Sequence, residues 1–413
     1  MIGRYQVLII LSENLLLTAF ILYLLSTLFY AVAVTGKKWA NSDPQSHQNR
    51  YSRIGYFVAV VGFLAQGGFV IARWVAGGHS PTSNMFEFMA FLAFCIILAF
   101  LIIDRIYSVS VLGAFVMPLG VIILAYASVF PREVTPLIPA LQSYWLQIHV
   151  TTAALGEGIL AVGFAGGLMY LVRTVNQSVR SKSTFWLEVV ISVVLMLIGF
   201  ILAVTIFASI DRQTTFEFPQ LKEDGTVEQM HKVDYVLPAI VAPNQSKIVK
   251  EGPMNPLFEA PTWMEGKDAA RKLNTMIWSV LSGLILYGGL RLITRKRLGA
   301  ALQSTVEDID PELLDEISYR AIAIGYPVFT LGALIFAMIW AAEAWGRFWG
   351  WDPKEVWALI VWLFYSAYLH LRLSRGWIGT KSAWMAVAGF VIVLITLVFV
   401  NLVIAGLHSY AGV

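Results

Sequence analysis

Cysteine is nearly missing: Cys95 is the only one in 413 residues, and it falls inside a long apolar run. That excludes an intramolecular disulfide, a Cys-x-x-Cys exchange site and a Cys-x-x-Cys-His haem attachment sequence within the chain. The residue itself reads as a small buried apolar group. Charge is scarce as well. Only 13% of the residues are charged and 58% are hydrophobic, above the roughly 45–50% apolar content of soluble domains. Internal repeats and low-complexity tracts are lacking, so a transporter built from inverted repeats gets no support. No nucleic-acid partner is expected; the natural solvent is a lipid bilayer.

Crossing about 30 Å of hydrocarbon takes roughly 20 apolar residues per helix. Ten such stretches occur, at about 8–34, 55–75, 85–103, 110–129, 145–172, 186–210, 274–293, 321–342, 355–372 and 382–406. The expected fold is therefore all-α, a polytopic transmembrane helical bundle of about ten spans with an extracytoplasmic insert. Four regions follow: N-terminal helices over 1–80, a first core part over 81–210, the insert over 211–272 and a second core part over 273–413. Basic residues are lopsided. Lys37, Lys38, Arg50, Arg53, Arg105, Arg173, Arg180, Lys182, Arg295, Lys296, Arg297, Arg372, Arg375 and Lys381 sit in one set of loops, against Arg132, Arg347 and Lys354 in the alternate short ones. The first set is assigned to the cytoplasm, with both termini outside. The first span is too long for a cleavable signal peptide, whose apolar region is about 7–15 residues.

The insert contains Val233–Val241 and Lys247–Val249, which suit short strands, while Pro238, Pro243, Pro253, Pro256 and Pro261 break helices. The acidic stretch Ser304–Ser318 reads as a solvated helix, with Asp308 or Asp310 ahead of Pro311 as its cap.

From Trp340 to Trp362 the chain reads WAAEAWGRFWGWDPKEVWALIVW, six tryptophans in 23 residues. An interfacial aromatic belt accounts for one or two of them, not six. Gly346, Gly350 and Pro353 break the helices there, so that flat aromatic faces can lie side by side. Such a surface suits a large planar ligand with polar edges, whose carboxylates Arg347 or Lys354 would meet.

Two histidines are assigned to the same membrane face. His149 lies in LQSYWLQIHV at the start of the fifth span, and His408 lies in NLVIAGLHSYAGV at the end of the tenth. Alone, each has an ordinary reading as a hydrogen-bonded helix-end residue. Together, flanking one aromatic loop, they fit the two axial positions of a haem iron. His370 sits near the opposite end of the ninth span in YSAYLHLRLSRG, as a second haem ligand or as an imidazole snorkelling towards Arg372. A haem there would need its other ligand from another subunit. His47, His79 and His231 are weak candidates.

These segments resemble a known family. WGRFWGWDPKEVWAL is similar to the tryptophan-rich WWD signature of haem-handling proteins, and its surroundings resemble the CcsA (ResC) type of system II cytochrome c biogenesis proteins. SPTSNMFEF, LQSYWLQIHV and NLVIAGLHSYAG are similar to that family's outer-loop and histidine segments, and the likeness runs from about residue 80 to the end. The resemblance implies haem b as iron-ligated substrate, with His149 and His408 as axial ligands and the catalytic pair. Trp345, Trp349, Trp351 and Asp352 would form the platform, and His370 would be the transmembrane ligand of a haem entry site. It further implies a ResB/CcsB-like membrane partner, an apocytochrome c carrying a CxxCH motif, and a bacterial inner membrane with a periplasmic active face, a thylakoid lumen being chemically equivalent.

The expected activity is holocytochrome c synthesis: thiols add across the haem vinyl groups to form thioethers. Positioning is the expected source of rate, with an upper range of about 7–11 kcal/mol. A system I relative, a haem exporter without ligase activity and a b-type electron-transfer cytochrome are the alternatives. The last usually holds both ligands on facing helices inside the membrane.

Overall fold

The computed structural model describes residues 2–36, 43–107, 109, 111–130, 132–134, 142–210, 212–221, 227–261 and 269–400. In chain order its helices are α1 (Ile2–Thr35), α2 (Pro44–Gly77), α3 (Met85–Tyr107), α4 (Leu112–Ala127), α5 (Tyr144–Thr174), α6 (Lys182–Ile210), α7 (Ala269–Thr294), α8 (Leu298–Gln303), α9 (Pro311–Phe329), α10 (Ala337–Trp345), α11 (Pro353–Arg375) and α12 (Thr380–Leu394). A π-helical segment, Thr330–Phe336, joins α9 to α10, and a second, Ile395–Val400, extends α12.

Among the described residues nine helices are long and apolar enough to cross a membrane, with α9 to α10 counting as one. The all-α polytopic bundle is thus as expected. The expected span at about 110–129 is α4, which has only 16 residues and Pro118 inside it. At 1.5 Å per residue that is about 24 Å, short of the hydrocarbon thickness. Asp310 caps α9 by accepting a hydrogen bond from the Glu312 amide at 3.0 Å. That helix is no separate solvated element, however, for it runs on as the span Pro311–Trp345.

The chain divides into two compact units, one formed by 1–187 with 299–413, the other by 188–298. The first is organised around α5, which buries most of its length. In lipid, helices gain little from hiding apolar surface and associate by close backbone approach, which small residues allow. A Cβ on Gly156 would fall 2.6 Å from the Phe329 amide nitrogen, and one on Gly158 2.7 Å from the Cys95 carbonyl carbon. Cys95 is accordingly a buried packing residue. Pro327 lies inside α9, where it leaves a carbonyl one turn earlier without its donor. The π-helix begins three residues later, and its Gly332 lies so close to α5 that a Cβ would stand 2.2 Å from the Ala153 amide nitrogen.

At the basic end of this unit, Asp315 on α9 grips Arg372 on α11 through two hydrogen bonds of 2.9 and 2.8 Å. Arg372 also donates to Ser382 of α12 at 2.7 Å and lies over the Tyr319 ring at 4.3 Å. Three helices are thereby pinned at one end by a bidentate pair.

In the second unit α6 and α7 meet at a glycine contact, where a Cβ on Gly199 would fall 2.6 Å from the Gly283 amide nitrogen. Between these helices the chain forms β1 (Thr214–Leu221), β2 (Val227–Tyr235), β3 (Val241–Ala242), β4 (Lys247–Lys250) and β5 (Phe258–Glu259). The larger sheet has the order β2-β1-β4 and is antiparallel; β3 pairs with β5 in parallel. Phe216 and Phe218 alternate inwards against Val233 and Tyr235. Asn274 of α7 ties the insert down: its side-chain oxygen accepts from the Ile240 amide at 2.8 Å and its nitrogen donates to the Pro238 carbonyl at 3.2 Å. The second expected strand is β4. The first is divided into the end of β2 and the two-residue β3, and β1 is an addition.

Replacing Gly332 by valine is expected to lower stability by at least the ~1–3 kcal/mol typical of overpacking, read as a fall in thermal midpoint in detergent. Gly288→Ala on α7, where nothing lies within 4 Å, should be neutral or mildly stabilising.

Candidate functional site

At the end opposite the Asp315–Arg372 pair, the first unit encloses a cavity of about 210 Å³. The starts of α3, α5 and α11, the end of α10 and the π-helical extension of α12 converge on it. Its walls are mostly apolar, from Phe88, Ala153, Phe329, Ala337, Trp340 and Phe348, with His149, Glu157, Lys354 and Glu355 as the ionisable exceptions.

His149 is held from two sides. Its Nδ1–H donates to the Gly332 carbonyl at 2.9 Å, and its ring lies parallel to the buried Trp340 indole, centroids 5.8 Å apart at 12°. Since a carbonyl can only accept, the proton sits on Nδ1 and the ring lone pair on Nε2, the tautomer that binds a metal. The π-helix contributes here too. The Gly332 carbonyl accepts from the Ala337 amide, five residues on, and the absent side chain lets α5 come close enough for His149 to reach it. Ser143 fixes the start of α5, accepting from the Trp145 amide at 3.1 Å and donating to Glu343 of α10 at 3.0 Å.

The tryptophan loop is clamped by one carboxylate. Glu355 accepts from the Gly350 amide at 2.8 Å and the Asp352 amide at 3.1 Å, while Asp352 accepts from the Lys354 amide at 3.0 Å. This capping box brackets Trp351, which has φ +56°, a left-handed conformation that costs a non-glycine residue about 1–3 kcal/mol. Trp349 and Trp351 meet edge to face at 5.9 Å, and Trp340 and Trp345 likewise at 4.7 Å.

A third wall is the loop between α2 and α3. Glu87 is fully buried and pairs with Arg73 at 2.7 Å, and its other oxygen accepts from the Ser83 amide and hydroxyl at 3.0 and 2.6 Å. Asn84 accepts from the Glu87 amide at 2.9 Å. The motif SPTSNMFEF is thus a helix cap welded to a buried ion pair. It sets Thr82, Ser83 and Asn84 along the cavity.

Of the residues singled out in the sequence, His149, Trp349 and Lys354 line the cavity. Trp345 packs against Trp340 behind the lining, Trp351 is 70% exposed, and the Asp352 carboxylate is engaged in capping. Arg347 folds over Gly350. His370 lies near the basic end of α11, away from the cavity and on the exposed side of the helix. His408 lies outside the described residues. His79 bonds the Ser80 carbonyl at 3.0 Å, His231 packs on Phe218, and His47 contacts the Val32 carbonyl at 3.3 Å. Among the described residues no three His, Cys, Asp or Glu side chains come together as a site for a bare metal ion. A histidine such as His149 suits an iron whose other ligands arrive with it.

Residues 82–208 and 275–408 match the family described as Cytochrome C assembly protein. The chain belongs to that family. It is 32% identical over 343 residues to the cytochrome c biogenesis protein CcsA of Gloeothece citriformis, a match covering 82% of this chain and 81% of the relative. The CcsA proteins of Rippkaea orientalis and Synechocystis sp. are each 30% identical, with 82% of both chains covered. The resemblance read from the tryptophan motif to CcsA-type cytochrome c biogenesis proteins therefore holds.

Sequence reasoning passed over Trp340 as more than one of six tryptophans, and it missed Glu157, Arg73 and Glu87 altogether. A carboxylate in an apolar run such as TAALGEGILAV is the signal available for Glu157. Arg73→Ala should leave the buried Glu87 carboxyl without its ion-pair partner and lower stability by about 3–5 kcal/mol. Adding Glu87→Gln should recover part of that loss, the non-additivity being read from thermal unfolding of single and double variants.

Proposed function

We propose that this protein is the CcsA-type subunit of a system II cytochrome c synthase, which holds haem and presents it to an apocytochrome c for covalent attachment. The observation that carries the reading is His149: its tautomer is fixed by Gly332, its ring is stacked on Trp340, and its lone pair belongs to a nitrogen suited to iron. In the first unit Arg105, Arg173, Arg372 and Arg375 sit in the last turns of α3, α5 and α11, whose opposite ends line the cavity, which supports an extracytoplasmic, periplasmic face for it in a bacterial inner membrane.

The cavity is smaller than the roughly 300–1,000 Å³ that encloses a drug-sized ligand. A porphyrin would therefore enter by one part and leave the rest over the tryptophan loop, with vinyl groups towards the solvent. His149 would supply one axial ligand and His408 the other, with haem b as the substrate. Trp345, Trp349, Trp351 and Asp352 would shape the platform, Asp352 through the capping box. The residues in hand then act by orientation. The CxxCH thiols of the apocytochrome add across the vinyl double bonds, each sulfur bonding to carbon while its proton passes to the neighbouring vinyl carbon, with no net redox change. The substrate histidine would displace one axial ligand and release the product.

His370 fits a partner. Leu363, Ala367 and His370 form an exposed stripe on α11 at the spacing of one helix face. An imidazole facing bare hydrocarbon is expensive, so a ResB/CcsB-like subunit would cover it and complete a second haem position there.

Co-expression with such a partner and an apocytochrome c tests the reading. His149→Ala and Trp340→Ala should each lower covalent haem product at least about tenfold, or ~1.4 kcal/mol, while His47→Ala should leave it unchanged. Haem-loaded complex that never yields thioether product would favour haem export instead.

A further inference from the structure

Glu157 is a carboxyl that neither the capping network nor the histidine seat uses. It lies eight residues beyond His149 on α5, about 12 Å along the axis and on nearly the same face, and it lines the same cavity. It is nine-tenths buried, and its Oε2 has no hydrogen-bond partner among the described residues. The groups around it do not neutralise it. Cys95 from α3 and Tyr365 from α11 are within electrostatic reach, and the Tyr365 hydroxyl is itself buried without a hydrogen-bond partner among the described residues. The π-helix and the end of α9 bring only Phe329, Ala333 and other apolar groups to the lining; the α12 extension brings Thr396. Lys354 and Glu355 share the cavity, but Lys354 stands against Asp352 and Glu355 is spent on the tryptophan loop.

We infer that Glu157 is the redox-linked proton site of the haem held at His149, taking up a proton when the iron is reduced and releasing it when the iron is oxidised. This rests on the proposed haem seat. A ferric haem core between two neutral imidazoles carries one positive charge, which compensates a carboxylate in the same low-dielectric cavity. Reduction removes that charge, and a bare carboxylate among apolar groups is costly. The step balances as ferric haem with carboxylate, plus one electron and one proton, giving ferrous haem with carboxylic acid. A one-electron reductant supplies the electron and water at the cavity mouth the proton. Because coupling between two sites is reciprocal, the bound proton in turn favours ferrous iron.

The test is a spectroelectrochemical titration of haem in the purified chain with its partner, using dithionite as reductant, over about pH 5–9. The midpoint potential should fall as pH rises, with a limiting slope of about 59 mV per pH unit for one proton per electron. Glu157→Gln should flatten the slope and raise the potential at the alkaline end, whereas Glu157→Asp should keep the slope. A parent with no pH dependence, or a Glu157→Gln variant with the parent's slope, would overturn the inference while the haem seat stands. Haem that survives His149→Ala with an unchanged spectrum would overturn the seat itself, and the inference with it.

Discussion

Everything at the cavity depends on one hydrogen bond, from His149 Nδ1–H to the carbonyl of Gly332. A membrane interior offers no water to satisfy stray polar groups, so an imidazole there needs a protein partner. An ordinary α-helical carbonyl is already engaged four residues on. A π-helical turn shifts that pairing, and a glycine at that turn lets the neighbouring helix approach to backbone contact. Pro327 in α9, the π segment, Gly332 and the small residues of α5 are therefore one device. It presents a histidine in a single tautomer against a tryptophan.

The two ends of the first unit are built differently. At the basic end, Asp315, Arg372, Ser382 and Tyr319 lock α9, α11 and α12 together by charge. At the cavity end rings and caps take over: Trp340 of α10 stacks on His149 of α5, and Glu355 of α11 clamps the tryptophan loop. The charged lock leaves the cavity end lined mostly by carbon, with few ionisable groups, which is the setting in which an iron charge and a buried carboxyl would affect one another.

Much of this was legible in the sequence. Spans follow from apolar length, and the Trp340–Trp362 run and His149 stand out because rings and imidazoles are rare in such company. Pro311 narrowed the cap to Asp308 or Asp310, of which Asp310 fills it. What stayed hidden depends on three-dimensional approach. No periodicity marks Gly332 as the acceptor for a residue 183 positions away. The pairing of Arg73 with Glu87 crosses a loop whose turn had to be known first. Likewise Asp352 was expected only as part of the platform and Glu355 was not singled out, whereas the carboxylates of both are spent on backbone amides. Strand β1 was masked by Pro219, a residue uncommon inside sheets, and β4 was legible because Lys247–Val249 has no such break.

The central claim is that His149 binds haem iron through Nε2. The most direct measurement is electron paramagnetic resonance of ferric haem in the purified chain with its partner, for the parent, for His149→Ala, and for His149→Ala with added imidazole. The account predicts a low-spin signal in the parent, its loss in the variant and its return when free imidazole fills the vacated position. An unchanged low-spin signal in the variant would contradict it and would place the iron elsewhere in the complex.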